Sequence, residues 1–239
     1  MSSSKYTEGV KTYENGKYIG EFIDGIRQGK GIFYYSNGEK YDGDWVEGKI
    51  QGIGSYIYKS GSKYDGEWVN GYMEGKGIFY YKNGDKYDGQ FKKDLKEGKG
   101  TMFYSGGDKY EGQWKNNLMH GKGKFYYSSG SKYEGYYLEG KKSGKGVFYY
   151  NDGDKYDGEW KNDKREGKGV LIFHNNEKYE GKWSKDKMNG NGVYYFDNGD
   201  KYDGEWKNGK AHGKCKYFHN DTGKWVKEVW KDNQFDHAE

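Results

Sequence analysis

Apolar and polar side chains alternate over short stretches of this chain, as in Tyr64-Asp65-Gly66-Glu67-Trp68 and Gly75-Lys76-Gly77-Ile78-Phe79. A period of two marks strands, and each interior glycine would cost a helix about 1 kcal/mol. The pattern predicts two short strands per unit, joined by turns. Tyr18, Tyr41, Tyr64, Tyr87, Tyr110, Tyr133, Tyr156, Tyr179 and Tyr202 stand 23 residues apart, and the period covers residues 18–224. Such self-similarity predicts an array of one small hairpin unit in place of an ordinary globular domain.

The turns set how the strands pair. Each unit ends in a cluster such as Ser36-Asn37-Gly38, Lys82-Asn83-Gly84 or Asp197-Asn198-Gly199. A two-residue turn at Asn-Gly and a three-residue loop with a left-handed glycine both suit these sequences, and they differ by one residue in register. The three-residue loop is the self-consistent choice. It puts Tyr64, Gly66, Trp68, Gly75, Gly77, Phe79 and Tyr81 on one face, and Asp65, Glu67, Lys76, Ile78, Tyr80 and Lys86 on the other. Gly66 and Gly77 then oppose each other as a floor without side chains, over which neighbouring Trp and Tyr rings lie flat and stack from repeat to repeat. The loop after the first strand carries Gly, Asn or Asp as its third residue in every copy, from Gly25 to Gly209. Those residue types tolerate a left-handed backbone, so the position reads as geometry and not chemistry.

Composition narrows the functional classes. The chain has 239 residues, 20% of them aromatic, with 42 glycines and no proline. Aromatic content and strict period argue against disorder, and the missing proline against a collagen-like or linker-like chain. Charge is nearly balanced overall, but residues 87–224 hold 27 Lys and Arg against 21 Asp and Glu. Interleaved signs favour a solvated surface over a nucleic-acid face. Cys215 is the only cysteine, which points to a reducing compartment and a packed structural thiol. Met1-Ser2-Ser3-Ser4 lacks the apolar stretch of a signal peptide, so an intracellular, soluble protein is expected, with any membrane contact peripheral.

The unit Tyr-x-Gly-x-Trp-x-x-Gly followed by Gly-x-Gly, well seen in Tyr202-Asp203-Gly204-Glu205-Trp206-Lys207-Asn208-Gly209 with Gly213, resembles the MORN repeat (membrane occupation and recognition nexus). The resemblance covers residues 18–224, with 1–17 and 225–239 as partial repeats that cap the array or let it self-associate end to end. It implies an all-β fold: an elongated, twisted, single-layer antiparallel sheet of successive hairpins. At two strands per repeat and about 4.8 Å per strand, such a sheet would be on the order of 85 Å long. Family members include junctophilins, plant phosphatidylinositol-phosphate kinases, ciliary radial-spoke head proteins and parasite cytoskeletal ring proteins. Their repeats serve as scaffolds, dimerisation rods or lipid-contacting modules.

Candidate chemistry is sparse. His120, His174, His212, His219 and His237 are scattered without metal-ligand spacing, and no nucleophile–base pair stands out. Gly-Lys-Gly at 29–31, 98–100 and 167–169 lacks the following helix of a phosphate loop. Lys86 with Asp88, Lys155 with Asp157 and Lys201 with Asp203 read as cross-strand charge ladders on the wet face. No catalytic residue, cofactor or metal is expected. A non-enzymatic protein scaffold is, with the aromatic face Tyr41, Trp45, Tyr64, Trp68, Tyr110, Trp114, Tyr156, Trp160, Tyr179, Trp183, Tyr202 and Trp206 meeting its partners. The alternative is a peripheral module meeting anionic lipid through Lys92, Lys93, Lys96, Lys141, Lys142, Lys164 and Arg165, supported by Lys161 and Lys168. With only Arg27 and Arg165 as arginine, the lysine-rich, proline-free composition resembles coding from an AT-rich genome. Together with similarity to radial-spoke head proteins, it points to a ciliary axoneme or another cytoskeletal assembly, where partners would be other proteins of that complex.

Overall fold

The computed structural model describes residues 5–238, so Met1-Ser2-Ser3-Ser4 lies outside the described residues. These residues form twenty-one strands and no helix. They divide into two compact units, one ending at Leu118 and one beginning at Met119. In the first unit, strands from Tyr6–Tyr13 to Lys109–Lys115 pair antiparallel with their sequence neighbours in an open sheet of successive hairpins. The second unit repeats this plan to the last strand, Gln234–Ala238.

Two hairpin loops alternate, and each follows from its residues. At Lys82-Asn83-Gly84 the Gly84 N–H donates to Tyr81 O at 3.0 Å, the Tyr81 N–H donates to Asp85 O at 2.9 Å, and Gly84 has φ +90°. This is the three-residue loop with a left-handed glycine, and it pairs Gly77 with Gly89 and Phe79 with Tyr87, so that glycine faces glycine and ring faces ring as the register argument expects. The other loop is tighter than its third residue alone suggests. In Asn70-Gly71, Lys93-Asp94 and Lys185-Asp186 both residues have positive φ, the mark of a type I′ turn between adjacent strands.

In the non-glycine copies, the side chains help hold this strained turn. Asp94 Oδ1 accepts the Met73 N–H at 2.7 Å, and Glu74 Oε2 accepts the Lys93 N–H at 3.0 Å. The Asp and Asn residues there serve chemistry as well as geometry: they accept a hydrogen bond from the repeat before.

The first glycine of Gly-x-Gly also differs from expectation. Gly75, expected only as one more residue of the aromatic face, is a bulge with φ +63°, where the register shifts between Gly66 and Trp68. The Glu67 carboxylate accepts the Lys76 N–H at 2.9 Å, satisfying a backbone donor that the bulge takes out of the ladder. Asp44, Gln90 and Glu159 play the same part toward Ile53, Lys99 and Lys168.

The floor itself is Gly66 opposite Gly77, and the Tyr64 phenol lies on it. Its hydroxyl donates to Glu67 O at 3.0 Å. Trp68 does not share that floor. Its indole reaches back one repeat and donates Nε1–H to Gly54 O at 3.1 Å. Trp45, Trp114, Trp160, Trp183 and Trp206 do the same toward Gly31, Gly100, Gly146, Gly169 and Gly192.

The rings meet edge to face. Trp68 lies 5.0 Å from Tyr64 at 90° and 5.6 Å from Tyr41 at 86°. The expected flat stack is therefore a herringbone within each unit, the arrangement ring quadrupoles prefer. On the opposite face, ion pairs run along single strands, as in Lys40–Asp42 at 3.1 Å and Lys63–Asp65 at 2.8 Å. Cross-strand pairs such as Lys124–Glu134 at 3.4 Å join them. The face also carries exposed Tyr80 and Phe103, so it is less purely charged than the pattern implied.

A methyl group on Gly77 would overlap the Tyr64 phenol, whereas one on Gly71 meets nothing within 4 Å and strains only a left-handed backbone. Gly77→Ala should cost about 3 kcal/mol and Gly71→Ala about 1 kcal/mol, read from urea midpoints at constant m. Equal losses would mean that the floor does not support the ring. A second expectation concerns alkali. Burial raises the Tyr41, Tyr64 and Tyr87 hydroxyls far above the usual value, and Tyr18 to about 12. Unfolded tyrosine ionises near pH 10, so the unfolded state loses protons first. Stability is full below that pH and falls as pH climbs through 10 toward the folded values. Absorbance at 295 nm should rise together with loss of strand circular dichroism; tyrosine ionisation completed near pH 10 with the fold intact would contradict this burial.

Candidate functional site

The twelve aromatic residues proposed as a contact face are interior. Tyr41, Tyr64, Tyr110, Tyr156, Tyr179 and Tyr202 are at most 1% exposed, and Trp45, Trp68, Trp114, Trp160, Trp183 and Trp206 at most 7%. They cannot meet a partner directly, because each tyrosine lies on the glycine floor, the tryptophans pack edge-on against the tyrosines, and other side chains close over both. The accessible part of this face is that covering layer.

Two rows make the cover. One stands nine residues after each repeat tyrosine: Arg27, Ile50, Met73 and Lys96 in the first unit, Met119, Lys142, Arg165, Met188 and Ala211 in the second. The other is the residue before each three-residue loop, including Tyr58, Tyr81, Tyr127 and Tyr150. The rows lean toward each other: the Tyr58 hydroxyl lies 3.8 Å from Met73 Sδ, and Lys142 Nζ donates to the Tyr127 hydroxyl at 3.2 Å.

The cations of the first row sit on indoles. Arg27 is 4.4 Å from the Trp45 centroid, Lys96 4.5 Å from Trp114, Lys142 5.0 Å from Trp160 and Arg165 4.2 Å from Trp183. Ring faces attract such charges while the aliphatic stems cover apolar surface. Burial lowers the Lys96 and Lys142 ammonium pKa values. Arg165 is 19% exposed and held twice, by Asp186 Oδ1 at 3.6 Å from Nε and by Asp186 O at 2.8 Å from an Nη.

This geometry breaks up the proposed lipid cluster. Lys92, Lys93, Lys141 and Lys164 are exposed, as are Lys161 and Lys168. Lys96, Lys142 and Arg165 are instead drawn in over Trp114, Trp160 and Trp183. The list therefore separates into turn-borne solvated charges and three cations committed to the aromatic cover.

The C-terminal end holds a residue that sequence reasoning passed over. Glu228 is 5% exposed and faces Cys215 across the ladder, at the place of a floor glycine. Trp230 Nε1–H donates to Glu228 Oε2 at 2.8 Å in place of a preceding glycine carbonyl, and His219 Nε2 lies 3.1 Å from Glu228 Oε1. Aligning Trp230 with the repeat tryptophan, after the one-residue insertion near Asn220, would have placed Glu228 on the floor. His174, His212 and His237 each sit beside a single carboxylate, His174 3.1 Å from Asp154, and no group of metal-ligating side chains gathers among the described residues. Burial pushes the Cys215 thiol up to about 12. At pH 8 native protein should react with a disulfide probe at least about a hundredfold more slowly than urea-unfolded protein; equal rates would contradict a packed thiol.

Comparison with known proteins agrees with this architecture. The MORN repeat family model matches residues 18–40, 41–63, 64–86, 87–109, 110–132, 133–155, 156–178, 179–201 and 202–223. A search of curated sequences returned no match. Among solved structures, the wild-type TCP10 domain of Danio rerio CPAP in complex with a peptide of Danio rerio STIL is similar in fold. Its TM-score is 0.53 and its identity 9%, covering 98% of this chain and 99% of that one. The same domain without the peptide gives a TM-score of 0.47 at 9% identity, over 87% of this chain and 98% of that one. The MORN repeat is a non-catalytic module that binds proteins or membranes. With its nine matched repeats, this chain belongs to the MORN-repeat family.

Proposed function

We propose that the chain is a non-enzymatic protein-interaction scaffold in a cytoskeletal assembly, a ciliary axoneme being the foremost candidate. The observation that carries this reading is the division of labour within each repeat. Tyr and Trp are sealed inside, while the covering positions at Arg27, Ile50, Met73 and Lys96, and again at Met119, Lys142, Arg165 and Met188, vary in charge and shape. A constant aromatic interior under a cover that varies, half-buried at its cations and buried at Ile50 and Met73, suits recognition of a protein segment by a rigid platform. The solved complex of a similar fold with a peptide supports the same use.

Contact with anionic lipid is the second reading, resting on exposed Lys92, Lys93, Lys141 and Lys164. The first strand, Tyr6–Tyr13, and the last, Gln234–Ala238, are both exposed, and self-association would run through these edges. Tagged protein added to isolated axonemes should be retained after detergent extraction. Tyr81→Ala and Tyr150→Ala should lower retention about fivefold or more while circular dichroism is unchanged. Absence from axonemes, with recovery on phosphatidylserine vesicles that is lost in moderate salt, would replace the scaffold reading by the lipid one.

A further inference from the structure

We propose that the covering layer of the second unit, at Lys142 and Arg165, is a track for an extended acidic peptide in polyproline-II conformation, with carboxylates three residues apart. The proposal deepens the scaffold reading and rests on that face being a docking surface. Its first support is dimensional. Equivalent side chains recur once per repeat, which is every two strands, and two strand spacings come to about 9.6 Å. A polyproline-II helix advances about 3.1 Å per residue with three residues per turn, so the same face returns about every 9.3 Å. The mismatch of about 0.3 Å per repeat accumulates to only about 1 Å over three repeats. An extended β-strand returns the same face about every 6.7 Å and an α-helix every 5.4 Å. Neither divides the repeat, so only the polyproline-II ligand can meet successive repeats with identical contacts.

The second support is the chemistry of the lining. Lys142 lies 4.8 Å from the Phe148 centroid and 5.0 Å from Trp160, and Arg165 lies over Trp183. Tyr150 packs on Phe148 at 4.4 Å, and among the described residues its hydroxyl has no hydrogen-bond partner. Rings of this kind accept proline faces, and a free hydroxyl can donate to the carbonyls that a polyproline-II chain leaves unsatisfied.

Charge then sets the sequence. The carboxylates nearest these cations are Asp163 and Asp186, whose Oδ1 atoms accept the Lys142 and Arg165 backbone N–H groups at 2.8 Å. Asp186 also partly balances Arg165, while the Lys142 ammonium forms no ion pair among the described residues. The next two covering positions are Met188, half-buried, and Ala211, buried, and both are apolar. The matching ligand reads acid-x-x-acid-x-x-apolar-x-x-apolar, with prolines at the intervening positions.

The test is fluorescence anisotropy on the full chain with labelled Glu-Pro-Pro-Glu-Pro-Pro-Leu-Pro-Pro-Leu and its reversed sequence. One orientation should bind. One extra proline between the two Glu, or Lys in place of both Glu, should weaken it about tenfold or more. Lys142→Met and Arg165→Met should each weaken it about tenfold; methionine already fills this position at Met73 and Met188, so the cover and the fold are preserved. A random twelve-residue display library is panned on the same protein. Library peptides that bind the face without acids in period three, unaffected by Lys142→Met, would overturn the track and leave the docking surface standing. No binding by either designed peptide and no library binders would overturn both. Loss of phosphatidylserine-vesicle binding in the two Met variants, with no peptide binding, would assign these cations to lipid and overturn the proposal.

Discussion

Everything in this fold depends on a tyrosine ring lying on a pair of glycines. Tyr64 can be fully buried in a sheet with no second layer only because Gly66 and Gly77 present bare backbone beneath it. Its apolar ring covers that backbone, while its hydroxyl is satisfied by Glu67 O within the same strand. A phenol whose polar end is bonded locally can be buried without a partner elsewhere, which is why the unit repeats unchanged. The raised ionisation of Tyr41, Tyr64 and Tyr87 has the same origin, since burial penalises the phenolate.

The second requirement is cohesion between repeats, because a lone hairpin is marginal in water. Trp68 supplies it by touching Tyr41 edge-on and bonding Gly54 O, both in the repeat before. The backbone carbonyl is reachable for the same reason that the tyrosine fits: glycine has no side chain to block it. The loops add a parallel set of ties, in which Asp85 accepts the Ser105 N–H at 2.8 Å and Asp94 that of Met73. Stability in each unit is then a chain of nearest-neighbour couplings.

Much of this was legible in the sequence, for identifiable reasons. The face holding Tyr64 with Phe79 followed from the three-residue loop, because a one-residue slip would have set acids beneath the rings. The bulge at Gly75 was not legible, because a bulge glycine and a floor glycine look alike in sequence; only the backbone angle separates them. Lys93 gave no sign of its left-handed backbone, since the stabilising bonds come from Glu74 and Asp94 acting across repeats. Burial of the Tyr and Trp rows was missed for a different reason. Strand alternation assigns a residue to a face but says nothing of how far a side chain such as Lys96 or Arg165 will fold back over that face.

That folding back explains how a uniform array can carry specific information. Met188 takes this position one repeat after Arg165 while the rings one repeat on remain Tyr202 and Trp206, because a methionine and an arginine stem both cover apolar surface. Charge at this row can therefore vary between repeats with little effect on the fold, whereas the floor glycines and their rings cannot vary at all. Where the floor does change, at Cys215 and Glu228, the repeat stops. A carboxylate set there has to be held by Trp230 and His219, and the following strand, Gln234–Ala238, is exposed along its whole length. The same glycine rule thus sets both the freedom of the surface and the end of the array.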